Sequence, residues 1–200
     1  MNLLHIDSSI LGDHSVSRQL TKEVVESIRL AEPNASVTYR DVTSSATVHL
    51  DGSLLAAKGT PAQERNAQQA HQVSIAETVM AEFLAADVLV IGAPMYNFSI
   101  PSQLKAWIDM ISVAGVTFKY GANGPEGLAG GKRAVIVATA GGQHAGTATG
   151  VAHVEYLRIL LGFLGITDIR VISAEGLAMG PEVRDPALAA ARAQLSAVAA

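Results

Sequence analysis

Asp87-Val-Leu-Val-Ile-Gly-Ala-Pro-Met-Tyr-Asn-Phe-Ser-Ile-Pro-Ser-Gln-Leu-Lys-Ala-Trp-Ile-Asp109 joins a buried strand, an aromatic loop and a helix without a break. Val88, Leu89, Val90 and Ile91 form the short continuous apolar run of a strand covered on both faces, and Gly92 and Pro94 end it. Pro101 suits a first helical turn, and Leu104, Trp107, Ile108 and Ile111 recur at helical spacing, so a buried helix face begins there. Between the two, Met95, Tyr96, Asn97 and Phe98 place two rings and an amide at a strand's carboxyl end. In open parallel sheets that is where ligands bind.

Tyr96, Phe98, Trp107, Phe118 and Tyr120 fall close together, more than half of the 4 Phe, 4 Tyr and 1 Trp in the whole chain. Trp107, on the apolar helix face, reads as core. Phe118 and Tyr120 stand among Gly115, Gly121, Gly124 and Pro125, which predicts loop aromatics able to wall a ligand or a partner.

Working outward, Leu3 to Ile6 reads as a first strand, and Val16, Leu20, Val24 and Ile28 trace the buried face of the helix after it. Val37 to Val42 is a second strand. A polar stretch with Gly52, Gly59 and Pro61 leads into a long helix over 62–85, whose Val73, Ile75, Val79, Met80, Phe83 and Leu84 predict deeper packing of its carboxyl half. Ala134 to Ala138 is a fourth strand, a helix lies around Val154 to Leu161, and Ile169 to Ile172 is the fifth strand. The Ala-rich tail from Pro186 closes the chain as a helix. Strict alternation implies a doubly wound α/β fold, a five-stranded parallel sheet of flavodoxin-like order 2-1-3-4-5 with helices on both faces. No linker divides the chain, so 1–200 reads as a single domain. That strand order has one switch point, between strands 1 and 3, where a flavin mononucleotide can bind. The loops after those strands converge.

The first of them, Asp7 to Arg18, carries Ser8, Ser9, Ser15 and Ser17 directly into a helix. Free N–H groups at a helix N-terminus attract anions, and serine hydroxyls add donors. A pyrophosphate would favour Gly-x-Gly-x-x-Gly, and a triphosphate Gly-x-x-x-x-Gly-Lys-Ser/Thr; neither is present, which points to a monophosphate. Plain N-capping would explain Ser15 or Ser17, but not both, nor Ser9 upstream. A third loop, Thr139-Ala-Gly-Gly-Gln-His-Ala-Gly146, offers backbone donors at a ligand's edge, with His144 as a candidate proton donor or a solvated loop residue.

Charged residues make up 16% of the chain and hydrophobic residues 49%, against about 25% charged in an average globular protein. Part of the surface is therefore expected to be hidden in a homodimer. Net charge is -4 with no Lys/Arg run, so neither nucleic acid nor an anionic membrane is expected as partner. The start lacks a leader pattern and no apolar run spans a bilayer, which predicts a cytoplasmic protein. Zero Cys excludes disulfides and thiol catalysis, and no two His share metal-ligand spacing with an acidic partner, so no metal is expected. Redox chemistry here needs an organic cofactor.

Leu3-Leu-His-Ile-Asp-Ser-Ser-Ile-Leu-Gly12, Gly92 to Asp109 and Thr139-Ala-Gly-Gly142 together resemble the bacterial FMN-dependent NADH-azoreductases, also called FMN-dependent NADH:quinone oxidoreductases. The similarity runs nearly the whole length. It implies that Ser9, Ser15, Val16 and Ser17 hold the FMN phosphate, Met95, Tyr96, Asn97 and Phe98 the flavin ring, and Thr139, Ala140, Gly141 and Gly142 its pyrimidine edge. Tyr120 of a second subunit would face the open flavin with Phe118 and Phe163. The implied reaction is ping-pong: NADH reduces the flavin and leaves before a quinone or an azo compound enters the same slot. Some members of that family carry Ser-Arg where this chain has Thr139-Ala140, so a cation beside the loop is missing and substrate preference can differ. Two other readings of the topology are an electron carrier, which a net charge of only -4 supports weakly, and a phosphoryl-accepting receiver domain. The receiver needs an Asp where Gly92-Ala-Pro ends the third strand.

Overall fold

A computed structural model of the chain describes residues 1–44, 48–150, 152–195 and 197. Strands β1 (Asn2–Asp7), β2 (Ser36–Asp41), β3 (Val88–Pro94), β6 (Arg133–Thr139) and β7 (Asp168–Ala174) form one parallel sheet in the order β2-β1-β3-β6-β7. Counting only these strands, that is 2-1-3-4-5. The helices are α1 (Val16–Ala31), α2 (Gly52–Gly59), α3 (Ala67–Ala85), α4 (Ser102–Ile111), α5 (Ala152–Phe163) and α6 (Pro181–Ala193). Strands β4 (Phe118–Gly121) and β5 (Gly124–Gly127) make an antiparallel hairpin outside the sheet.

Side chains of a strand alternate between faces, and here the alternation sorts the core into two clusters. Leu4, Ile6, Leu89, Ile91, Ala134 and Ile136 pack with Phe83, Leu104, Trp107, Leu157 and Leu161 of α3, α4 and α5. Leu3, Val88, Val90, Val135 and Val137 pack with Leu20, Val24 and Ile28 of α1 and with Leu188 and Ala191 of α6. Trp107 is core as expected, fully buried and edge-on to Phe83 at 6.1 Å. Each such burial contributes about 1.5–3 kcal/mol.

Five local features differ from the sequence reading. The long helix begins at Ala67, because Asn66 and Gln69 form a capping box there, and 62–64 is a separate 3-10 turn. The polar stretch before it holds α2, started by Asp51, whose side chain accepts the Leu54 N–H. Val73, Val79 and Phe83 are buried, but Leu84 is exposed. Helix α6 starts at Pro181 rather than Pro186, since Gly180 at φ 92 breaks the chain and Pro181 suits the first turn; residues 196 and 198–200 of the tail lie outside the described residues. Finally, Phe118 and Tyr120 belong to the hairpin rather than to an open loop. Gly127 anchors it: a Cβ there would overlap Gly165 N and the Leu164 carbonyl carbon, and the Ala129 N–H donates to Leu164 O at 2.9 Å.

Candidate active site

The β1–α1 loop is built around buried hydroxyls. Ser9, Ser15 and Ser17 are all buried. Ser15 is the N-cap of α1 and accepts the Arg18 N–H at 3.3 Å, while its Oγ meets Ser17 Oγ at 3.0 Å. Capping thus explains Ser15 alone. The Val16 and Ser17 N–H groups have no acceptor among the described residues, as expected of a first helical turn. Arg18 secures the loop from below, donating to the Ser9 carbonyl at 2.8 Å, Asp41 at 2.7 Å and Thr43 Oγ1 at 3.0 Å. Burial raises the Asp41 carboxyl, but bonds from Arg18 and Thr43 outweigh it and hold the group below the usual carboxylate range. Beneath them, Tyr39 donates to Asp7 at 3.0 Å, and burial together with that carboxylate pushes the phenol up to about 12. Ser8 Oγ donates to Gly92 O at 2.6 Å, drawing β3 against the loop, and a Cβ on Gly92 would press Asp7 and Thr21.

The β3–α4 loop is a tight turn. Tyr96 and Ser99 exchange backbone bonds of 2.9 and 3.0 Å, and the two residues between them, Asn97 and Phe98, have φ of 49° and 65°. Two positive φ values inside a reciprocal pair mark a type I′ turn, for which Asn is well suited and Phe is not. A bulky residue in that region costs about 1–2 kcal/mol, yet the Phe98 ring is exposed. Met95 N–H donates to Thr139 O at 2.7 Å, joining this turn to the β6 loop.

After β6, Thr139 and Ala140 are buried, and the carbonyls of Ala140, Gly141 and Gly142 accept from Leu177, Ala178 and Gly176 at 3.1, 2.9 and 2.8 Å. That leaves the N–H groups of Gly141 and Gly142 unpaired among the described residues. Glu175 Oε2 accepts the N–H groups of His144 at 2.7 Å and Ala145 at 2.8 Å, and His144 Nδ1 meets Thr149 Oγ1 at 2.9 Å. The His144 ring stands edge-on to Phe98 at 5.9 Å.

These loops enclose a cleft of about 270 Å³, walled by Ser9, Ser15 and Val16, by Met95 and Tyr96, and by Thr139, Ala140 and Gly141. Ser17 lies beneath Ser15, while Asn97 opens onto a neighbouring cleft of about 530 Å³ that Tyr96 also lines. Phe98, Gly142 and His144 lie beside the first cleft rather than in its wall. Phe118, Tyr120 and Phe163 form their own cluster, with ring centroids 4.7 and 5.6 Å from Phe118, and none of them walls that cleft. Pro94 completes the wall with Leu11, His14, Leu177, Ala178 and Arg184, none of which the sequence reading assigned to the site. Among the described residues no group of His, Asp and Glu could hold a metal ion, and no helix is long and apolar enough to cross a membrane. FMN fits these residues: unpaired amides and serine hydroxyls at a helix N-terminus suit one phosphate, and the ring turn shares the cleft with Gly141, whose amide is unpaired among the described residues.

Strand order and the placement of these loops define a flavodoxin-like α/β protein. The chain belongs to the family of flavodoxin-like fold, which matches residues 1–199. It is 59% identical over 196 residues, 98% of this chain and 97% of the relative, to a protein named FMN-dependent NADH:quinone oxidoreductase 3 of Pseudomonas fluorescens (strain Pf0-1). It is 61% identical over the same shares to FMN-dependent NADH:quinone oxidoreductase 2 of Pseudomonas aeruginosa. Among solved structures it is similar to an azoreductase from Bacillus anthracis str. Sterne, with TM-score 0.88 and 26% identity over 100% of this chain and 98% of that one. It is also similar to an FMN-dependent NADH-azoreductase from Bacillus anthracis str. Ames Ancestor in complex with FMN, with TM-score 0.86 and 26% identity over all of both chains.

Proposed function

We propose that this chain is an FMN-dependent oxidoreductase that uses NADH to reduce quinones to hydroquinones and to cleave azo compounds to amines. One observation carries the reading: Tyr96 of the ring turn bonds Ser9 of the serine loop, so a phosphate seat and a ring seat share one cleft. The names of the relatives support the same chemistry.

When bound, the flavin supplies the two-electron transfer. Ser9, Ser15 and Ser17, with the Val16 amide, would hold its phosphate. Met95 to Phe98 would position the ring, and the Gly141 and Gly142 amides would offer donors to its pyrimidine edge. Thr139 and Ala140 shape the floor. His144, whose backbone N–H donates to Glu175 and whose ring meets Thr149, is in this reading the proton donor to the product. NADH leaves before the acceptor enters the same slot, so the cycle is ping-pong, and an azo bond needs two rounds.

The exposed Tyr120 and its neighbours Phe118 and Phe163, away from the cleft of their own chain, support a homodimer in which they cover the partner's flavin. We read residues 1–200 as one cytoplasmic FMN-binding domain. The two core clusters support a doubly wound sheet.

The test is to purify the protein, record its visible spectrum, bleach it anaerobically with NADH and restore it with a quinone or an azo dye. A yellow protein that cycles is expected. Protein that stays colourless after reconstitution with excess FMN and desalting would refute the proposal.

A further inference from the structure

We infer that Arg184 is the counter-charge of the FMN phosphate, closing from α6 the seat that the serine loop opens from α1; the inference rests on the FMN reading above. Helices α1 and α6 each follow a strand of one parallel sheet and pack into the same core cluster, so they run in the same direction. Two contacts fix their register. Arg192 donates to both carboxylate oxygens of Glu23 at 2.9 and 3.0 Å, and Ser27 Oγ donates to Leu195 O at 3.5 Å. The same offset, carried two turns toward the N-termini, pairs Arg184 with Ser15, about 12 Å from the Glu23 contact at 1.5 Å per residue. Arg184, Leu188 and Arg192 share a face at successive i,i+4 steps, and Leu188 is buried with Leu20 and Val24 of α1. Arg184 does wall the cleft beside Ser9, Ser15 and Val16.

Charge balance supports the role. A phosphate monoester carries about −1.5 to −2 near neutral pH, and the hydroxyls and amides of the serine loop are neutral donors, with His14 the loop's other polar member of the cleft wall. Arg18 is already committed to Asp41, Thr43 and the Ser9 carbonyl. Arg184 makes no side-chain hydrogen bond among the described residues and pairs only at 3.7 Å with its chain neighbour Asp185. It is also the permanent cation among the residues walling the cleft. The first turn of a helix disfavours a cation, because the helix dipole is positive there. A dianion held between the two helix N-termini removes that conflict.

The experiment titrates apoprotein of the wild type, Arg184→Gln and Arg184→Lys with FMN and with riboflavin, which lacks the phosphate. Quenching of flavin fluorescence is read at low and high salt. The Gln variant should bind FMN about tenfold more weakly, with a smaller salt dependence and unchanged riboflavin affinity, while the Lys variant keeps most of the FMN affinity. FMN affinity equal to wild type in the Gln variant, or equal losses for both flavins, would overturn the assignment. If the Gln variant does not fold, the wild type decides: an FMN-to-riboflavin affinity ratio indifferent to salt overturns it, and a ratio falling with salt supports it. Wild-type apoprotein that binds neither flavin would sink the FMN reading itself, and the inference with it.

Discussion

The Tyr96 hydroxyl lies 3.1 Å from Ser9 Oγ and accepts the Ile10 N–H at 3.2 Å, tying together two loops 87 residues apart in sequence. Removing that hydroxyl in Tyr96→Phe takes away contacts of about 0.5–1.5 kcal/mol each. The apoprotein should melt about 2–4 °C lower for each kcal/mol lost, and FMN affinity should fall as the two seats lose their fixed spacing. Thermal melts with and without FMN check both.

Ser15→Ala combined with Ser17→Ala removes the cap of α1 and two hydroxyls at the phosphate seat. Loss of the cap costs about 1 kcal/mol, which the fold should survive. FMN should be lost on desalting while circular dichroism stays native. Unchanged flavin retention would place the phosphate elsewhere.

Phe98→Gly relieves a bulky residue from positive φ at a position whose ring is 56% exposed and gives up little burial. The apoprotein should gain about 1 kcal/mol. Turnover with NADH and a quinone should drop, since the ring beside His144 is gone. Differential scanning calorimetry and steady-state rates separate the two effects, and an unchanged rate would show that the strained turn has no part in catalysis.

His153 is buried with neither ring nitrogen hydrogen-bonded. Burial lowers its pKa, nearby Glu175 opposes that and His144 adds to it. The unfolded chain titrates near about 6.5, so below that pH it binds more protons than the folded protein does. Stability is therefore present above that value and declines as pH falls toward the lowered folded one. Melting temperature should drop between about pH 7 and pH 5, and His153→Leu should flatten that part of the profile.

Strand order was legible because the central strands β3 and β6 carry continuous apolar runs and strands alternate with helices along the chain, and the serine and aromatic loops were legible because their residue types are unusual at strand ends. The β4–β5 hairpin was not. Gly124-Pro-Glu-Gly127 shows no strand pattern, and a tertiary crossing with Gly165 holds it. Helix α2 went unread because its start depends on one side-chain cap at Asp51 rather than on an apolar period. Arg184 escaped because its place in the cleft follows from the register of two helices distant in sequence, which Glu23 and Arg192 set.

The crossing of Gly127 and Gly165 binds two neighbourhoods with unequal freedom to change. Any side chain on Gly127 collides with the other backbone, and Gly165 stands at φ +96 with Gly127 O only 3.1 Å from an added Cβ, closer than ordinary contact, so neither position tolerates replacement. The hairpin tip that this crossing steadies exposes Tyr120 and, apart from Gly124 at φ +111, carries no such restriction. On the proposed function, changes at the tip can therefore retune which molecules are accepted while the frame carrying it keeps its shape.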